Sequence, residues 1–87
     1  MMKKRLGPTI LESPDLVAFI SLVKNIQPYP FIRESDRRVC FAFDAEVLDA
    51  IEEFYRNVPV PIGEYCKTLK SIRSMIFNLK GAAKNGR

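Results

Sequence analysis

Histidine is absent from this 87-residue chain, and so is tryptophan. Without histidine the commonest general base is missing, along with every Ser-His and Cys-His nucleophile pair. Cys40 and Cys66 are too far apart for any CxxC spacing, so neither a structural zinc site nor a disulfide framework is expected. Both thiols read as small buried apolar groups in a reducing compartment, which points to the cytoplasm. The four glycines are dispersed and form neither GxGxxG nor GxxxxGK[ST], so no phosphate-cradling loop is expected. No long hydrophobic run is present. The longest, Leu16 to Val23 interrupted by Ser21, is less than half of a membrane span. Lys3-Lys4-Arg5 near the amino end is followed by Leu6-Gly7-Pro8-Thr9-Ile10, which is no continuous apolar segment, so a secretion signal is not expected.

What is present suits one small folded domain. Hydrophobic residues make up 47% of the chain, well above the level of a disordered protein. A domain of this size buries only about 60% of its unfolded surface, so its core is thin. The net charge is +4, and its distribution says more than its sum. Asp44, Glu46, Asp49, Glu52 and Glu53 stand against Arg56 alone; Lys67, Lys70, Arg73, Lys80, Lys84 and Arg87 stand against Glu64 alone.

The pattern predicts six elements in the order β-α-β-β-α-α. Thr9 to Glu12 reads as a short strand. Ser13 as N-cap, Pro14 at the first helical position and Asp15 in the first turn open a helix to about Lys24, with Asn25 as a left-handed stop. Leu16, Val17, Ala18, Phe19, Ile20, Leu22 and Val23 cover almost the whole circumference of that helix. Such a helix is either enclosed by the rest of the molecule or leaves a face for a protein partner or a second copy. Tyr29 to Ile32 and Arg38 to Phe43 read as a hairpin around a polar turn, with Val39, Phe41 and Phe43 on one face. Tyr29 and Phe31 resemble a stacking platform, but core packing is the preferred reading. Asp44 is expected to cap a helix from Ala45 to about Arg56, with Val47, Leu48, Ile51, Phe54 and Tyr55 buried. Asn57 to Pro61 reads as an extended linker. A third helix is expected from about Ile62, with Gly81 ending it and residues 82–87, like residues 1–8, forming loose basic ends. The fold class is therefore α+β: a small antiparallel sheet with three helices.

That third helix carries two stripes. Tyr65, Leu69, Ile72, Ile76 and Leu79 repeat at 4-3-4-3 and form a packing seam. Lys70, Arg73, Phe77 and Lys80 repeat at 3-4-3 on a neighbouring face, and Lys67 joins Lys70 at i, i+3. The basic stripe reads either as a solvated face with Phe77 packed away, or as a nucleic-acid contact in which the cations meet phosphates and Phe77 stacks on a base. The carboxylates of the second helix read as a solvated face; two of them, Asp49 and Glu53, are too few oxygen ligands for a strong metal site. No catalytic residue, cofactor, metal or small-molecule substrate is expected.

Ser13-x-Asp15-Leu16, then Arg37-x-Val39-x-Phe41-x-Phe43, then Tyr55-Arg56-Asn57, then Leu69-Lys70-Ser71-Ile72 together resemble a family of small bacterial and phage domains of unknown function. That family opens with T-x-D-L-x-x-A, has an R-x-V-x-F-x-F strand, ends a helix near Y-x-N and closes with L-(K/R)-x-(I/L). The resemblance covers residues 13–79. The chain departs from it at Phe19, where the alanine would fall (Ala18 comes one residue early), and at Asn25, where glycine is usual. The resemblance implies the same element order and a prokaryotic accessory role, with no catalytic residue to transfer.

Overall fold

Ser13 starts the first helix as the sequence suggests. Its backbone is extended, and its hydroxyl accepts from the Leu16 N–H at 3.4 Å. Pro14 takes the first helical position, and α1 (Pro14–Lys24) runs to Asn25, whose φ of 55° turns the chain left-handed. In the computed structural model, which describes the backbone of residues 8–85 and side chains as far as Ala82, three strands accompany this helix. They are β1 (Thr9–Leu11), β2 (Tyr29–Ile32) and β3 (Val39–Phe43). Two further helices, α2 (Leu48–Tyr55) and α3 (Ile62–Asn85), complete the predicted β-α-β-β-α-α order. Lys3, Lys4 and Arg5 lie outside the described residues.

The sheet is antiparallel with β3 in the middle, in the order β1-β3-β2. Thr9 pairs with Phe43 and Leu11 with Phe41 on one side; Tyr29 pairs with Ala42 and Phe31 with Cys40 on the other. Strand alternation then sorts two faces. Val39, Phe41 and Phe43 point into a core shared with Leu16, Val17, Ala18 and Ile20 of α1, Val47 and Ala50 around α2, and Ile72 of α3. Ile10, Ala42, Tyr29 and Phe31 point the other way and take no part in that core. All three helices therefore cover one face of the sheet and leave the other without a layer.

α1 is enclosed by its own molecule. Leu16 to Ile20 are at most 5% exposed, with α2 and α3 packed along the helix and Phe54 meeting Phe19 edge-on at 5.5 Å. The seam of α3 closes the same core. Ile72 is buried at its centre, and Tyr65, Leu69, Ile76 and Leu79 pack half-buried along it. The Tyr65 hydroxyl donates to the Asp15 carbonyl at 3.1 Å, tying α3 to the start of α1.

Four expectations are corrected. α2 begins at Leu48, not Ala45, and has no side-chain cap; Asp44 is not its N-cap. The chain leaving β3 must first bury Val47 against the sheet, and that anchor sets the later start. Leu48 and Tyr55 are exposed on one side of the helix, and Ala50 is buried on the opposite side. Gly81 does not end α3, which runs on to Asn85, so residues 82–85 are helical rather than a loose end. Nothing lies within 4 Å of where a side chain on Gly81 would begin, so its conformation there is a matter of local helix continuity, not of packing. Finally, Cys40 is buried but Cys66 is exposed.

Candidate nucleic-acid interface

At about 100° per residue, Lys70, Arg73, Phe77 and Lys80 fall within an arc of about 80° on α3. Lys70 and Lys80 are about 15 Å apart along the axis. All four side chains are exposed, and Phe77 reaches 77%, the highest value among the described large apolar residues. The ring is not packed against α1 or any neighbour. Cys66 lies on the same flank, four residues before Lys70, a position no seam periodicity revealed. Lys67 is also exposed but sits about 60° farther round the helix. It faces a cleft of about 420 Å³ between α1 and α3, lined with Ser21, Asn25, Gln27 and Glu64. The structure thus gathers four of the five sequence-predicted residues and sets Lys67 at the margin.

Arg73 approaches Asp15 at 3.9 Å, with both side chains more than half exposed, so the pair holds the guanidinium only loosely. Lys80 faces a second cleft, of about 400 Å³, together with Glu12, Arg37, Arg38, Val39 and Ile76. The hairpin turn therefore brings Arg37 and Arg38 to the end of the stripe. The adjacent arginines were the sequence signal for this, but only the β1-β3-β2 order brings them there.

The hairpin end is a network of charges. Arg33 donates to Glu12 at 2.6 Å and to both oxygens of Asp36. Arg38 lies 3.7 Å from each of the same two carboxylates. Hydrogen bonds that Arg33 donates to Asp36 first and Glu12 second raise its pKa, and Arg33 holds the Asp36 carboxyl below its usual value. Lys24 does the same to Asp49 at 2.8 Å. Because both aspartates have depressed folded pKa values, their contribution to stability is present above about pH 4 and is lost as pH falls through the folded values. The thermal midpoint is therefore expected to be level from about pH 5 to 8 and to fall below about pH 4. An Asp36→Asn, Asp49→Asn double variant should flatten part of that fall; a midpoint that rose on acidification would contradict the sign.

Tyr29 and Phe31 require another correction. Their strand lies at the sheet edge and their side chains point to the uncovered face. Tyr29 is 69% exposed and Phe31 half-buried, so core packing does not account for the pair. Among the described residues, no three acidic or cysteine side chains converge as a metal would require, and no helix is long and apolar enough to cross a membrane. No protein-family model, curated protein or solved structure matches the chain.

Proposed function

We propose that this protein is a non-enzymatic cytoplasmic accessory protein that associates with nucleic acid through the basic flank of α3. Lys70, Arg73 and Lys80 meet phosphates, Phe77 meets a base or sugar, and Lys67 adds charge from the margin. The observation that carries this reading is the Phe77 ring, held in solvent between cations on a rigid helix. Burying such a side chain is worth about 1.5–3 kcal/mol, which the isolated fold forgoes. An apolar ring beside cations suits a ligand with both π-faces and phosphates. The likeness to small bacterial and phage domains fits an accessory role in a prokaryote or a mobile element.

The competing reading, a protein-binding or self-associating module built on α1, has little surface to work with. The apolar residues of α1 are spent in the core, and Val23 reaches only 36% exposure.

Salt separates the two. Four phosphate contacts give a log–log slope of about −3.6 on duplex, hence binding on the order of a hundredfold weaker at 200 than at 50 mM salt. An apolar interface responds little. Capture from native lysate that survives nuclease treatment, together with a flat salt response, would overturn the nucleic-acid reading.

A further inference from the structure

We propose that the uncovered face of the sheet is a stacking platform for single-stranded nucleic acid, with Tyr29 and Phe31 receiving unpaired bases. This rests on the nucleic-acid reading above and adds which form of nucleic acid is bound and where its bases lie.

The platform follows from strand order. With β3 central, the outward side chains form rows across the sheet: Ile10, Ala42 and Tyr29 in one, Cys40 and Phe31 in the next. The two rings lie two residues apart on β2, stacked with 6.4 Å between centroids and only 22° from parallel, so a flat base laid against the more exposed Tyr29 extends the same stack. No helix covers them. Aromatic side chains on an open sheet are a recurrent way to hold splayed bases, because every base has a π-face.

The size of the patch argues against a second copy as occupant. With Tyr29 69% and Ile10 44% exposed and Phe31 half-buried, the patch offers roughly 200–300 Å² of accessible surface. A stable dimer needs about 800 Å² from each partner. The patch matches one or two bases instead.

The surrounding charges lead from the platform toward α3. Just beyond β2 the next outward residue is Arg33, and paired with it, just before β3, is Arg38. Arg33 is held by Glu12 and Asp36, but Arg38 is 67% exposed and only loosely paired, free to swing to a phosphate. Arg37 enters none of these ion pairs and shares the cleft with Lys80. It holds a left-handed φ of 60°, a conformation that glycine or asparagine adopts at lower cost. Three carboxylates (Glu12, Glu34 and Asp36) share this end with Arg33, Arg37, Arg38 and Lys80. The positive excess is small, so the rings supply the preference for unpaired bases and α3 supplies most of the attraction to phosphate.

The test is fluorescence anisotropy on the full chain with three probes: a labelled oligothymidylate, a duplex of the same length, and competing inorganic polyphosphate, which has charge but no bases. The native protein is expected to prefer oligothymidylate. Tyr29→Ala should weaken that binding by about fivefold to a hundredfold, leaving duplex and polyphosphate binding unchanged, while Tyr29→Phe retains it. Tyr29→Leu, which keeps apolar bulk without a flat ring, serves in its place if the alanine variant melts early. Full oligothymidylate affinity in Tyr29→Ala or Tyr29→Leu would overturn the platform, and so would equal native affinity for all three probes. Sedimentation showing a dimer that Tyr29→Ala dissolves would also overturn it, assigning the face to a second copy. If duplex binding is lost on reversing charge on α3 while Tyr29→Ala has no effect, the platform fails and the α3 reading stands. If the native protein binds none of the probes, both fail.

Discussion

With Lys70 and Arg73 both replaced by glutamate, affinity for duplex nucleic acid is expected to fall by about 60-fold or more at 0.1 M salt. The figure comes from counterion release. Losing two of four phosphate contacts takes the slope from about −3.6 to about −1.8, and a tenfold dilution of salt from 1 M scales that difference to about 60. Repulsion from the two introduced carboxylates adds to it. The fold should tolerate the change, because both side chains are exposed and Arg73 has only its loose approach to Asp15 to lose. Anisotropy titration and a thermal melt on the same samples give both readings. Unchanged affinity with an unchanged melt would remove the basic flank from consideration.

Phe41→Ala should have the largest effect on stability. Phe41 is fully buried in the middle of the central strand, between Leu11 on β1 and Pro30 on β2, facing the helix layer. Truncating a buried phenylalanine costs about 3–5 kcal/mol. A chain of this length has about 4–13 kcal/mol in total, so the substitution removes from about a quarter to all of it. Its thermal midpoint should drop by at least about 12 °C, measured by circular dichroism. A drop of only a few degrees would mean that the two-layer core is not what holds the molecule together. Tyr29→Ala, on the opposite face of the same sheet, should barely move the midpoint.

Local chemistry made much of this fold readable in advance. Ser13-Pro14 and Asn25 mark the ends of α1 because caps act within a few residues. The seam of α3 was legible from its spacing, and so was the flank that Lys70, Arg73 and Lys80 share; spacing alone left open whether Phe77 packs away, and the structure exposes it. What escaped depended on contacts distant in the chain. The late start of α2 reflects Val47 seeking the core, which Asp44 as a capping residue does not reveal. Gly81 resembles a helix stop by residue type alone, yet α3 runs through it. The exposure of Tyr29 depends on β1 pairing with β3 and on every helix choosing the same side. An aromatic strand reads as core until its layer is known, and so core packing was preferred over a stacking platform for Tyr29 and Phe31.

The bridge from Arg33 to Glu12 joins the two outer strands, so it must pass above β3, on the face where Cys40 lies. With Phe31 beside it, that roof leaves Cys40 without solvent contact, while Cys66 stands open on α3. One alkylating reagent should therefore react with the two thiols at very different speeds. The slow one becomes a clock for breathing of the sheet, calibrated in every molecule by the fast one.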